Sequence, residues 1–118
     1  CVSYELIEDT VKAAKRYGSG VAATKVADPI KEVEKGQKVT KDLDQSKLWA
    51  TQTPQTFKRD VLEKALAGAA KRKRAPDDEA GAVFALKKEV HLVPSDSSNI
   101  KVQSMDDLLL AAALLRVH

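Results

Sequence analysis

The feature that most restricts the fold is a short apolar segment directly after a helical pattern. Residues 20–26, which read Gly-Val-Ala-Ala-Thr-Lys-Val, are typical of a strand that is buried on both faces. Before them, Ser3 is a suitable N-cap for a helix that runs to about Tyr17, and Gly18 and Gly20 end that helix. Because a helix followed by a buried strand is the unit of an α/β sheet, the sequence predicts an α/β fold.

The predicted first helix has an apolar side that should pack on the sheet. Residues at three- and four-residue spacing mark this side: Tyr4, Ile7, Val11 and Ala14. The length of 118 residues allows one domain at most. Only 4% of the residues are aromatic, whereas Ala, Leu and Val are abundant, which favours helices packed on a sheet over a small aromatic-rich barrel.

Charge, cysteine content and hydropathy argue against several classes of function. The net charge of +3 is mild and comes largely from the basic run 71–74, which is more often a solvated helix end than a nucleic-acid surface. Cys1 is the single cysteine, and His91 and His118 are isolated, so we expect no disulfide and no metal site. No apolar stretch reaches the length of about 18 residues that a membrane span needs, and no signal peptide is visible. We therefore expect a cytoplasmic protein without nucleic-acid or membrane partners.

The chain does not begin with Met, and we interpret it as processed or as a piece of a longer protein.

An exposed β-hairpin is predicted after the buried strand. Residues 30–33 and 38–40 alternate apolar and polar side chains around a turn at 34–37 that contains Gly36. The hairpin has too few apolar residues to form a core. A hairpin of this kind usually lies on a partner.

The second part of the chain predicts further elements of an α/β fold. Helices are expected at 58–72, from an N-cap at Asp77, and at 108–117, and short extended pieces at 90–93 and 99–102. The last helix is apolar almost all round and is therefore predicted to be buried. Pro54 prevents a regular interior strand in the polar segment 48–57.

Three polar segments are candidates for a ligand site: 51–55, 77–79 and 99–101. In open α/β sheets, ligands bind outside the carboxyl ends of the strands. Lys101 either holds a phosphate as a point charge or points outward from a surface strand. Thr53 either contacts a ligand through its hydroxyl or is a turn residue. Asp78 and Glu79 either act on a cation or a proton, or form the charged first turn of a helix.

Together these segments resemble the C-terminal half of the methylerythritol phosphate cytidylyltransferases. The segments that carry the resemblance are Asp28-Pro29-Ile30-Lys31, Leu48-Trp49, Gln52-Thr53-Pro54-Gln55-Thr56-Phe57, Asp78-Glu79-Ala80, Asn99-Ile100-Lys101-Val102 and Asp107-Leu108. Their order and spacing match over nearly the whole of residues 1–118. The related ribitol-5-phosphate cytidylyltransferases share several of them.

The resemblance implies a fold and a reaction. It implies part of a Rossmann-like nucleotidyltransferase sheet with flanking helices and a projecting β-hairpin, the arm of residues 28–45, which pairs with a second subunit in a homodimer. The implied reaction is attack of the phosphate of methylerythritol 4-phosphate on the α-phosphorus of CTP, with Mg²⁺ on the triphosphate. Lys101 matches the lysine that orients the acceptor phosphate, and Thr53 matches a threonine of the same pocket.

Three positions depart from the family pattern where its residues are associated with the substrate phosphate. Gln45 stands in place of an arginine, Pro29 in place of a threonine, and Asp77 in place of a second threonine. Losing a cation and two hydroxyls while gaining a carboxylate is expected to weaken binding of a dianion by several kcal/mol. The acceptor is therefore open between methylerythritol phosphate and ribitol phosphate or another sugar phosphate.

The family's nucleotide loop and its metal-binding aspartate have no counterpart among these residues, and no Gly-rich phosphate loop is present. The chain alone is therefore expected to bind neither CTP nor a metal and to be inactive. A non-catalytic dimerisation module that retains the arm is the alternative from a different class of function.

Overall fold

A mixed three-stranded sheet with flanking helices forms the body of the computed structural model, which describes residues 1–72 and 75–117. The elements, in chain order, are α1 (Tyr4–Tyr17), β1 (Ser19–Lys25), β2 (Lys31–Val33), β3 (Val39–Asp42), a 3₁₀ turn (Gln45–Lys47), β4 (Trp49–Phe57), α2 (Arg59–Ala70), α3 (Glu79–Ala85), β5 (Leu92–Pro94) and α4 (Met105–Val117). β1 is central, antiparallel to β4 and parallel to β5. The predicted α/β fold is confirmed. The predictions for His118 and for the end of the basic run 71–74 fall outside the described residues.

Helix α1 begins and ends as predicted, but of the predicted apolar side only Ala14 is buried. The Ser3 hydroxyl accepts a hydrogen bond from the Leu6 amide, and Gly18 ends the helix with a φ of 91°. The buried side chains are those of Leu6, Thr10 and Ala14, whereas Tyr4 is 76% exposed.

A close approach of backbone to backbone explains this difference. A Cβ atom on Gly20 of β1 would lie 2.2 Å from the carbonyl oxygen of Thr10 and 2.9 Å from the Cβ of Ala13. Opposite Gly20 the helix therefore presents the small residues Thr10 and Ala13, while the bulky residues at 4, 7 and 11 are left on the outer side.

Strand β4 runs through Pro54, and an edge position makes this possible. Val21 of β1 pairs with Gln55 and Ala23 with Thr51, so that Ala22 faces three residues of β4 in a bulge. Pro lacks a backbone donor and is tolerated at bulges and edges, where no ladder bond is lost. The prediction that Pro54 excludes a regular interior strand agrees with this edge strand, and the peptide bond before Pro54 is cis.

The predicted hairpin is present as β2 and β3, which pair only with each other. Gly36 and Gln37 adopt φ values of 83° and 63° in the turn. All residues of both strands are exposed, including Val33 and Val39, which are paired across the hairpin. Whether the arm contacts a second subunit stays a prediction.

Helices α2 and α3 share a small core with the end of β4. Ala65, Ala82 and Val83 are fully buried there, and the partly buried side chains around them are Phe57, Val61, Ala69, Leu86 and Val90. The predicted N-cap of α3 is wrong by one residue. Asp78, not Asp77, caps the helix, because its carboxylate accepts a hydrogen bond from the Gly81 amide.

Two further predictions about the end of the chain are wrong. Residues 99–102 form no strand and belong to a loop between β5 and α4. Helix α4 is not buried: Leu109 is 64% and Leu115 67% exposed, and Ala111 is the buried residue among those with described side chains. A helix that is apolar all round needs cover on every side, and the described residues supply it on one side only. No helix in the described ranges combines the length and the apolar character that crossing a bilayer requires.

Candidate functional site

An open cleft of about 730 Å³ lies at the carboxyl ends of the parallel strands β1 and β5. The β4 bulge, the start of α3, the loop after β5 and the start of α4 form its walls. Its lining residues are Thr51, Gln52, Thr53, Gln55, Leu66, Pro76, Asp77, Asp78, Glu79, Ala82, Asn99, Ile100, Lys101, Gln103 and Asp107. The three polar segments singled out in the sequence thus meet in one place, at the end of the sheet where ligands of α/β folds bind.

Lys101 faces this cleft from the loop after β5. It shares the lining with Thr53 and Asp77, the two other predicted site residues that come together here. In residues 1–72 and 75–117, no ion pair or side-chain hydrogen bond involves Lys101. Residues 99–102 form no strand, so that part of the surface-strand alternative is wrong, but Lys101 is exposed, as the alternative expects. An ammonium group without an internal partner is available to an anionic ligand.

The carboxylate of Asp78 organises another wall of the cleft. One oxygen accepts hydrogen bonds from the Thr51 hydroxyl (2.8 Å) and the Gln55 amide nitrogen (2.9 Å), and the other accepts the Gly81 amide (2.8 Å). The Gln55 amide oxygen in turn accepts the backbone N–H of Ala80 at 3.1 Å. Strand β4 and the start of α3 are therefore joined by a network of side-chain hydrogen bonds.

These contacts determine the charge state of Asp78. Burial raises the pKa of the Asp78 carboxyl, but the hydrogen bonds donated by Gln55, Thr51 and the Gly81 amide outweigh that effect. The pKa lies below its ordinary value of 3.8, and the group is an anion at neutral pH. Asp78 is the N-cap of α3 and Glu79 lies in its first turn, as the charged-turn alternative expects.

A second network of hydrogen bonds joins β4 to the loop that carries Lys101. The side-chain nitrogen of Asn99 donates to the Gln52 side-chain oxygen at 3.1 Å and to the Thr53 carbonyl at 2.8 Å. The Gln52 oxygen also accepts a short hydrogen bond from the Ser95 hydroxyl. The polar character of segments 51–55 and 99–101 is visible in the sequence, but these partners lie up to 47 residues apart, so their pairing is not.

Pro29 and Gln45 do not line the cleft of this single chain. Gln45 instead uses its side-chain nitrogen at the base of the arm, where it donates to the carbonyls of Val26 (2.8 Å) and Ala27 (2.9 Å). Contact of Pro29 or Gln45 with a substrate therefore stays a prediction, and it requires a cleft other than the one in the same chain.

The cleft carries more negative than positive side chains. Besides Lys101, its charged lining residues are Asp77, Asp78, Glu79 and Asp107. A dianionic ligand therefore needs further cations from outside the described lining. In the described ranges, no three His, Cys, Asp or Glu side chains are grouped as a metal site made by the protein alone requires.

The chain is similar over nearly its whole length to one enzyme family. The sequence model of the family described as "IspD: 2-C-methyl-D-erythritol 4-phosphate cytidylyltransferase" matches residues 1–117. The enzyme of that name from Syntrophus aciditrophicus (strain SB) is 34% identical over 115 residues, which are 98% of this chain and 49% of the relative. The one from Bacillus pumilus (strain SAFR-032) is 39% identical over 115 residues, 97% of this chain and 50% of the relative.

Solved structures agree with the sequence match. The crystal structure of 2-C-methyl-D-erythritol 4-phosphate cytidylyltransferase from Thermus thermophilus is similar with a TM-score of 0.85 and 32% sequence identity. The similarity covers 98% of this chain and 57% of the Thermus chain. The chain thus spans about half the length of the curated relatives it matches.

Proposed function

Because the chain belongs to the 2-C-methyl-D-erythritol 4-phosphate cytidylyltransferase family, we propose that its cleft holds the acceptor phosphate in a cytidylyl transfer. The observation that carries the proposal is the meeting of Lys101 and Thr53 in one cleft at the carboxyl end of the sheet. The acceptor is 2-C-methyl-D-erythritol 4-phosphate, and the donor is CTP. The products are CDP-methylerythritol and pyrophosphate.

In the proposed reaction, a phosphate oxygen of the acceptor forms a bond to the α-phosphorus of CTP. The bond from that phosphorus to the oxygen leading to the β-phosphate breaks, and pyrophosphate leaves with the electron pair. The Lys101 ammonium neutralises and orients the attacking phosphate, and the Thr53 hydroxyl donates a hydrogen bond to it. Positioning and charge neutralisation of this kind govern such in-line transfers.

The nucleotide is proposed to be held by residues other than these. We infer that the chain corresponds to the C-terminal half of a full-length family member, since its residues contain no Gly-rich phosphate loop. CTP would arrive there with Mg²⁺, in a cytoplasmic enzyme, and the chain alone would be inactive. Calorimetry of CTP with the 118-residue chain is expected to give no heat of binding, and micromolar affinity would contradict this assignment.

The arm of residues 28–45 is proposed to pair two subunits. Supporting this, its strands β2 and β3 make their main contacts with each other, and Val33 and Val39 are more than half exposed. Size-exclusion chromatography with light scattering should give a dimer for the complete protein and a monomer after deletion of 28–42. The double variant Val33→Ser and Val39→Ser, which keeps the arm, should weaken the dimer. If both variants dimerise with the affinity of the wild type, the arm does not form the dimer interface.

The test of the acceptor role is a kinetic one on the complete enzyme. Lys101→Ala is expected to raise the KM for the acceptor between about tenfold and a hundredfold, the value of one charge-assisted hydrogen bond. The KM for CTP should be unchanged. Lys12→Ala, which removes an exposed lysine of α1, is the matched control and should behave as wild type. Equal effects of both variants would contradict the proposal.

The substitutions at 29, 45 and 77 and the acidic lining favour two alternatives that the same assay separates. Preference for ribitol 5-phosphate over methylerythritol phosphate would make the protein a ribitol-phosphate cytidylyltransferase. A dimer that turns over no polyol phosphate would support a non-catalytic dimerisation module.

A further inference from the structure

The loop that carries Lys101 has few connections to the sheet. It joins β5 to α4, and its own backbone bonds are local, from the Asn99 amide to the Asp96 carbonyl and from the Ile100 amide to the Ser98 carbonyl. Apart from the Ser95 amide, which donates to Ala23 of β1, the described contacts between the loop and the sheet are made by side chains.

Asn99 makes the most specific of these side-chain contacts. Its residue is 8% exposed, and its nitrogen donates both hydrogens to β4, one to the Gln52 side chain and one to the Thr53 backbone. The Thr53 carbonyl can only accept a hydrogen bond, so the atom of Asn99 that faces it is the nitrogen. The atom of Gln52 that faces the same nitrogen is then its oxygen, which also accepts the Ser95 hydroxyl.

We propose that Gln52 and Asn99 form a clamp that positions Lys101 in the cleft beside Thr53 and thereby sets the affinity for the acceptor phosphate. This inference rests on the proposed function of the cleft. Lys101 follows Asn99 by two residues, so their Cα atoms are at most about 7 Å apart. Fixing Asn99 against the Thr53 carbonyl therefore limits the positions that the Lys101 Cα atom can take, and with them the positions that its side chain can reach.

The clamp acts through position and not through contact with the reacting atoms. A lysine side chain has many rotamers, and holding its backbone in place reduces what a ligand must order when it binds. The CTP site is proposed to lie outside this chain, so loss of the clamp should affect the acceptor and leave the nucleotide unaffected. A purely structural role would lower stability and change neither KM.

Asn99→Asp and Gln52→Met are the sharpest variants in the complete enzyme. Asn99→Asp keeps the shape but presents an oxygen to two acceptors, and Gln52→Met keeps the length but removes the acceptor. Each is expected to raise the acceptor KM by about tenfold to a hundredfold, as a small misplacement of a binding group does, with the KM for CTP within about twofold of wild type.

Ser19→Ala is the matched control. The fully buried Ser19 hydroxyl also joins two segments, since it donates to the Glu89 carbonyl and accepts the His91 amide, but it lies at the other end of β1. This variant should lower the melting temperature at least as much as Asn99→Asp without changing either KM. An acceptor KM that is unchanged in Asn99→Asp, or that rises together with the KM for CTP, would overturn the clamp.

Amide hydrogen exchange tests, without any substrate, whether the clamp holds the loop that carries Lys101. The Ile100 amide donates to the Ser98 carbonyl and the Gln103 amide to the Asp107 carboxylate. Exchange of these two amides should accelerate in Asn99→Asp and not in Ser19→Ala, and unchanged exchange would also overturn the inference. Failure of wild-type enzyme to use any polyol phosphate would instead reject the proposed function, because the exchange result does not depend on a substrate.

Discussion

The Asp78 carboxylate shows how one side chain can serve a helix and a strand together. It caps α3 through the Gly81 amide and binds the Thr51 and Gln55 side chains of β4. Removing one of these groups leaves a donor or acceptor unsatisfied in a partly buried site. The free-energy cost of that unsatisfied group exceeds the net contribution of the hydrogen bond itself.

Asp78→Asn is expected to lower the free energy of unfolding by about 1–2 kcal/mol at neutral pH, because the new amide nitrogen faces the Gln55 donor. The folded-state pKa of Asp78 is lowered, so its contribution to stability is present above its ordinary value of 3.8 and is lost as pH falls through the lowered value. The difference between wild type and variant should therefore shrink below about pH 4. Urea unfolding at several pH values measures it, and a difference independent of pH would contradict the assignment of the charge.

At the scale of elements, the contact between α1 and β1 determines which helix face is buried. Gly20→Ala would place a methyl group 2.2 Å from the Thr10 carbonyl, a distance that only a shift of the helix can relieve. We expect a loss of at least about 2 kcal/mol in the free energy of unfolding.

Gly68→Ala in α2 is the matched control for this prediction. Its added methyl group would meet the flexible ends of Leu86 and Arg72 at 3.2 and 3.6 Å, and Ala favours a helix by about 1 kcal/mol over Gly. Thermal unfolding should rank Gly68→Ala at or above wild type and Gly20→Ala well below it. Equal stability of the two variants would show that the helix does not depend on this close approach.

Helix ends and turns that are determined by neighbouring residues were predictable from the sequence, whereas the packing of these elements against each other was not. Ser3 and Gly18 determine the ends of α1 by local capping, and the alternating residues with Gly36 indicate the hairpin. The buried face of α1 depends on Gly20 of another element, which the helical periodicity does not contain. For the same reason the convergence of Lys101 and Thr53 follows from the general rule for strand ends, but the Asn99 clamp between them does not.

At the scale of the whole molecule, helices α1 and α4 each expose several large apolar side chains. Tyr4, Ile7 and Val11 are exposed on α1, and α4 exposes Leu108, Leu109, Leu110 and Leu115. Apolar patches of this kind on a folded chain mark surfaces that associate.

The 118-residue chain is therefore expected to bind a hydrophobic dye and to self-associate as its concentration rises. The double variant Leu109→Gln and Leu115→Gln should reduce dye fluorescence while changing the free energy of unfolding by less than about 0.5 kcal/mol, because both side chains are exposed. Ala111→Gln, at a buried position, should destabilise the fold instead. A large loss of stability in the leucine variant would show that these side chains are covered.

The bulge at Pro54 has a consequence for how the chain behaves in crowded solution. β4 is an outer strand of the described sheet, and unpaired amides along such a strand can recruit a strand from another molecule. Pro54 has no backbone N–H, so the series of hydrogen-bond donors along this outer edge is interrupted near its middle, and an incoming strand cannot pair with it continuously. Pro54, which causes the irregularity in β4 beside the cleft, thus also opposes fibril-like pairing of this edge with strands of other molecules.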